Sequence, residues 1–187
     1  WFLEKSISYI DGRGERLLIS VIVCSVLDEN FDLFEKSLKE TIGCEYQLIR
    51  FDNKIKKWGL SKVYNACTQE ALHDVLLYVH EDIVFKSEGW GGLLVDCLSD
   101  MSVSAVGISG STYRSKFPAV WSAIPRSYYR ITAVQHWQDR EPTRFDLRDG
   151  EGETSRVAVL DGVFLATRNP RDPDSKLFDE LFDHFHY

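Results

Sequence analysis

Apolar residues along this chain fall alternately into short unbroken runs and into looser helical spacing. Leu17 to Val26 reads LLISVIVCSV, a short β-branched run typical of a strand covered on both faces. Asp28-Glu29-Asn30 follows as a helix start, and Phe31, Phe34 and Leu38 then recur at helical spacing up to a stop at Gly43. A second strand is predicted over YQLIRFD (46–52). After it come a polar, basic turn from Asn53 to Gly59 and a helix through KVYNACTQEAL capped by Ser61. VLLYVHEDIVF (75–85) reads as a third strand and its exit, GWGGLLVDCLSDM (89–101) as a helix, and VSAVGISG (103–110) as a fourth strand. Strand and helix alternating at this spacing imply right-handed parallel crossovers. The expected fold is therefore α/β: a single domain with a mainly parallel central sheet and helices on both faces.

Beyond Gly110 the alternation breaks. Residues 111–156 are polar, aromatic and irregular. VAVLDGVFLATR (157–168) returns as strand material with a bend at Asp161-Gly162, NPRDPDS is a turn, and LFDELFDHF (177–185) reads as a short amphipathic helix. The expected organisation is an N-terminal extension (1–16), an α/β half (17–110) and an elaborated C-terminal half (111–187).

Composition narrows the function. The net charge is −7 and no Lys/Arg-rich block stands out, which argues against a nucleic-acid partner. The longest apolar run falls far short of the roughly 20 residues a spanning helix needs. The opening WFLEKSISYI lacks the basic start and long apolar stretch of a signal peptide. Cys24, Cys44, Cys67 and Cys97 form no C-x-x-C pair, which fits reduced thiols better than a zinc site. A cytoplasmic protein is the expectation.

In an open parallel sheet, ligands bind beyond the carboxyl ends of the strands. The first strand there ends at Ser25 and runs on to Asp28-Glu29, the second ends at Asp52-Asn53, and the third at His80-Glu81-Asp82. Acids converging without a matching basic cluster repel one another, and a divalent cation would relieve that repulsion. Glu81 points away from Asp82 if the segment stays extended, and is the weaker ligand candidate. No G-x-G-x-x-G follows the first strand and no Walker lysine motif appears, so nicotinamide and P-loop chemistries are disfavoured.

These motifs, in this order, resemble a family 2-type glycosyltransferase of the GT-A fold over about residues 18–187. ISVIVCSV with LDENF resembles the family's first strand and nucleotide loop, and LIRFDN its second strand. GLSKVYNACTQEA resembles the helix that follows, and YVHEDIVF the strand that carries the D-x-D metal motif. VLDGVFLATR and FDELFDHFHY resemble the acceptor-side strand and the G-x-FDE-x-F segment. The chain resembles the bacterial subgroup with H-x-D in place of D-x-D. The resemblance implies a metal site at Asp82 and His80, with Mn²⁺ favoured over Mg²⁺ because imidazole is a poor magnesium ligand. It implies nucleotide contacts from Ser25, Asp28, Glu29, Asp52, Asn53 and Asn65, and a UDP-, GDP- or dTDP-sugar donor. Trp121, Trp137 and Asp161 are the sugar- or acceptor-side candidates, and the acceptor would be a glycan or a lipid-linked molecule. The implied location is the cytoplasm, with peripheral attachment at the inner membrane face as a variant.

Inversion at the anomeric carbon also requires a carboxylate base. In similar proteins it lies just after the FDE…F segment, where this chain reaches His186-Tyr187, so a truncated C-terminal half is expected and Asp183 and His186 are the nearest substitutes. Plainer roles stand beside each assignment: Asp82 as a helix cap, His80 as a hydrogen-bonded structural residue, Asn65 bonding a neighbouring loop. A non-catalytic nucleotide-sugar or glycan binding module is the alternative reading. A nucleotidyltransferase ranks last, because VLDENF is neither glycine-rich nor basic.

Overall fold

The computed structural model describes residues 18–117, 119–147, 154–172 and 174–182. The N-terminal extension, residues 148–153 of the irregular stretch, and Asp183 and His186 lie outside them. The chain forms two compact units. The first holds the described residues up to Val106 and again from Ala166, and the second is Gly107–Leu165.

The first unit is built around β1 (Ile19–Ser25), whose Ile19, Val21, Ile22 and Val23 are wholly buried. Such a strand is flanked on both sides, here in parallel by β2 (Tyr46–Asp52) and β3 (Val75–His80). Helix α1 (Asp28–Thr41) buries Phe31, Phe34 and Leu38, as their spacing predicts. Its exit turns through Gly43 at φ 72°, and an added Cβ there would lie 2.8 Å from the Gly89 Cα. Helix α2 (Leu60–Thr68) starts at Gly59 with no side-chain cap. The expected cap, Ser61, is instead fully buried one position inside the helix, with its hydroxyl unpartnered. Helix α3 covers Trp90–Ser99.

The expected fourth strand is two short ones, β4 (Ala105–Gly107) and β5 (Ser109–Ser111). β4 completes a five-stranded sheet of order β2-β1-β3-β9-β4, in which β9 is Phe164–Arg168. β5 belongs to a separate sheet of order β7-β6-β5-β8, with β6 (Tyr129–Gln135), β7 (Thr143–Leu147) and β8 (Val159–Leu160). A Cβ at Gly110 would collide with the Val159 carbonyl, so β5 packs this closely only as glycine.

Two expectations change here. The strands are mixed rather than mainly parallel: β5 pairs antiparallel with β6 and β8, and β6 with β7. The short 136–142 link between β6 and β7 permits only that direction. These strands lie in the stretch read as irregular: β7 does alternate, with Thr143, Phe145 and Leu147 half-buried and Arg144 and Asp146 exposed, but it is five residues long and neither strand holds a fully buried residue. The second change concerns LFDELFDHF, whose described residues form turns and no helix. The Phe178 N–H donates to Asn65 Oδ1 at 3.1 Å and its carbonyl accepts from Asn65 Nδ2 at 2.8 Å, while the Leu181 N–H donates to Asp179. Side chains take the backbone groups that a helix would pair.

Candidate functional site

Parallel register brings the three strands to a common end, with Ser25 opposite Asp52 and Cys24 opposite His80. Glu81 follows immediately and is only 8 % exposed. Both its carboxylate oxygens accept from the N–H groups of Val26 and Leu27, at 3.1–3.2 Å. An ionised acceptor on two amides is a strong arrangement, and it compensates the buried charge without a metal. Glu81 thereby ties the tip of β3 to the loop between β1 and α1. Its signal in the sequence is indirect: α1 begins after Leu27, a residue that cannot cap, so an acid from elsewhere serves the amides at that turn. Beside it, burial pushes the Cys24 thiol up to about 11, while a hydrogen bond with Asn53 pulls the other way and the Glu81 charge adds to the rise.

The β1 and β2 tips carry their own counter-charges, which corrects the expectation of unmatched acids. Asp28 accepts from Arg50 Nη2 at 2.5 Å and from Lys54 Nζ at 2.7 Å. Arg50 also donates to Ser25 Oγ at 2.9 Å and lies 4.0 Å above the Phe31 ring. The Lys54 N–H donates to Asp52 Oδ1 at 3.1 Å, with its ammonium 3.7 Å from the same carboxylate. Bonds from Lys54 and then Arg50 hold the Asp28 carboxyl below its ordinary range, and Asp28 holds the Lys54 ammonium above its own. Ser25 is buried under this network, whereas Asp28 and Asp52 are exposed; Glu29 is exposed on α1 and takes no part.

Asn53 acts on the loop itself. Its N–H reaches the Ser25 carbonyl at 2.8 Å, and its side-chain amide pairs with both the N–H and the carbonyl of Trp58, each at 2.8 Å. This brace holds a tight turn in which Lys57 adopts φ 49°. Trp58 stacks on Phe51 at 5.3 Å, with Lys56 and Lys62 4.6 and 4.3 Å from its ring.

His80 Nε2 is buried with no hydrogen-bond partner, and Asp82, two residues on, is exposed and unpaired among the described residues. An imidazole nitrogen without a partner next to an open carboxylate is a donor set that manganese accepts. Among the described residues no three His, Cys, Asp or Glu side chains group as a metal site.

Asn65, on α2, is buried, and its amide is engaged by Phe178 on both backbone sides and by Glu180 Oε1 at 3.0 Å. The bonds from Asn65 and from Lys176 hold the Glu180 carboxyl below its ordinary value. An open groove of about 430 Å³ runs beside them, lined by Trp58, Lys62, Asn65, Gln69, Lys176 and Glu180 among others.

In the second unit Trp121 Nε1 donates to Asp161 Oδ2, and Asp161 Oδ1 accepts the Val163 N–H at 2.8 Å. Two of the three sugar-side candidates are thus in contact, with Trp121 also 5.2 Å from the Tyr129 ring. Trp137 stands apart, bonded to Thr143 with the Arg140 guanidinium 3.8 Å over its ring. Asp183 and His186 fall outside the described residues.

The sequence model of a family described as "Glycosyltransferase like family" matches residues 20–187. No curated protein matches the chain. No described helix is long and apolar enough to cross a membrane.

Proposed function

The chain belongs to this glycosyltransferase-like family, and on that premise we propose that it transfers a sugar from a nucleotide-diphosphate donor to an acceptor hydroxyl. The observation that carries the reading is the common end of β1, β2 and β3: Asp52 stands there opposite Ser25, with Arg50 and Lys54 bonded to Asp28 beside it, and His80 stands opposite Cys24 on the other side of β1, with Asp82 two residues on. The mixed α/β architecture is consistent with a GT-A-like fold. The finer assignments are an inverting mechanism, a UDP-, GDP- or dTDP-sugar donor, a glycan or lipid-linked acceptor and the H-x-D bacterial subgroup. A role in glycan synthesis at the cytoplasmic side belongs with them.

Arg50 and Lys54, on the exposed side of the site, would exchange Asp28 for donor phosphate oxygens. Asp52 accepts hydrogen bonds from a base or ribose. Glu81 and Asn53 fix the two loops that carry these groups, so their orientation is set before a donor arrives. Asp82 and His80 would hold a manganese or magnesium ion, which when bound supplies positive charge to the departing diphosphate. The acceptor's proton needs a base; the Asp183 carboxylate, or the His186 imidazole in its place, is the candidate in this chain.

Isothermal titration of UDP-, GDP- and dTDP-sugars, with Mn²⁺ and with chelator, tests the reading. One donor binds more tightly with Mn²⁺, and Asp82→Ala removes that gain. Tight donor binding indifferent to chelator and to this substitution refutes the metal role. Binding without sugar release to any acceptor or water supports the binding-module alternative instead.

A further inference from the structure

Charge is distributed unevenly along this acidic chain. Residues 101–138 hold four of its 22 Lys and Arg and none of its 29 Asp and Glu. Three of the four, Arg114, Lys116 and Arg126, are exposed on the loop that joins β5 to β6. The same loop exposes apolar side chains: Phe117 is 81 % and Val120 68 % accessible, and Tyr113 and Tyr128 nearly half.

The loop is closed at its base and braced along its limbs. The Thr112 N–H donates to the Tyr128 carbonyl at 3.0 Å, and the Tyr113 and Tyr128 rings lie 5.3 Å apart. The Phe117 N–H donates to Ser115 Oγ, the Ala123 N–H to the Val120 carbonyl, and the Tyr129 hydroxyl to the Ser122 carbonyl. A loop pinned in this way holds Phe117 and Val120 in water at a hydrophobic cost, unless something covers them.

We propose that loop 112–128 docks on an anionic bilayer. Phe117 and Val120 would enter the headgroup layer, and Arg114, Lys116 and Arg126 would meet lipid phosphates. Basic residues flanking an exposed apolar tip suit such an interface, because it offers negative charge and a low-dielectric layer within a few ångströms. A soluble polyanion satisfies the charges alone and leaves the tip in water, so the bilayer is the better match. The inference does not rest on the sugar-transfer reading.

Co-sedimentation of the chain with vesicles tests it, comparing pure phosphatidylcholine with mixtures containing phosphatidylglycerol. Binding is expected only to the anionic vesicles, weakening as salt rises. Arg114→Gln with Lys116→Gln should weaken partitioning about fivefold for each charge removed. Phe117→Ser should weaken it by about tenfold with both charges intact. Thermal melts of these variants should match the parent, since the altered side chains are exposed. Absence of binding, or equal binding to both vesicle types, overturns the proposal. So does a Phe117→Ser variant that binds like the parent while dextran sulfate competes fully, which would identify a polyanion surface. Donor binding, measured on the same variants, reports separately on the strand-tip site.

Discussion

Replacing Glu81 tests the architecture of the strand-tip site without a substrate. In Glu81→Ala the N–H groups of Val26 and Leu27 lose their acceptor. A buried donor left unpaired costs about 1–3 kcal/mol. Val26 and Leu27 themselves have 47 % and 56 % of their surface exposed. Water therefore reaches the vacated space in part, which places the total for the pair near the lower end, at about 2–3 kcal/mol. For a chain of this size each kcal/mol moves the melting midpoint by about 2–4 °C, so a fall of about 4–12 °C is expected. Glu81→Gln keeps one acceptor oxygen but turns an NH₂ toward an N–H, and should fall between alanine and the parent. Differential scanning calorimetry gives the midpoints, and amide hydrogen exchange gives the local answer, with Val26 and Leu27 exchanging faster in both variants. An alanine variant melting within about 1 °C of the parent, with unchanged exchange at those two amides, would show that the carboxylate is not what holds the loop.

Two further outcomes follow from groups away from the tips. Asn65→Ala removes the partners of both Phe178 backbone groups and should speed proteolytic cleavage within 174–182; Asn65→Asp should be worse at neutral pH, because it sets a carboxylate against Glu180 and the Phe178 carbonyl, and the gap should narrow on acidification. Equal cleavage rates in parent and variants would refute the latch. Burial, and then the Arg171 charge, hold His73 below its ordinary value of 6.5. The folded chain thus takes up this proton at lower pH than the unfolded one, so the contribution is level above about pH 6.5 and turns destabilising below it. His73→Gln should flatten the midpoint-versus-pH curve between about pH 5 and 6.5, and an unchanged slope would refute the assignment.

The alternating half of the fold was legible because its strands are buried on both faces. LLISVIVCSV and VLLYVH are nearly pure apolar runs, and Phe31, Phe34 and Leu38 mark one side of α1. The second unit was not read, although TRFDL alternates, because that alternation spans five residues and neither YRITAVQ nor TRFDL has the buried apolar run that marks β1 and β3. Strand ends could be read from where apolar runs stop, which placed the candidates Asp52 and His80 at the ends of β2 and β3. Arg50 was hidden by its place inside a strand, and Lys54 by looking like an ordinary solvated turn residue. Glu81 looked idle because alternation turned it away from Asp82; its partners are main-chain groups far off in sequence, which no side-chain pattern announces.

The chain leaves its five-stranded sheet at β4 and rejoins it at β9, which lie side by side. Neighbouring strands sit roughly 5 Å apart, so the intervening segment begins and ends at almost one spot. Insertion or deletion within it leaves the pairing of β1, β2 and β3 untouched. Such wiring lets one portion of a protein diversify like an exchangeable cassette while the remainder stays constant.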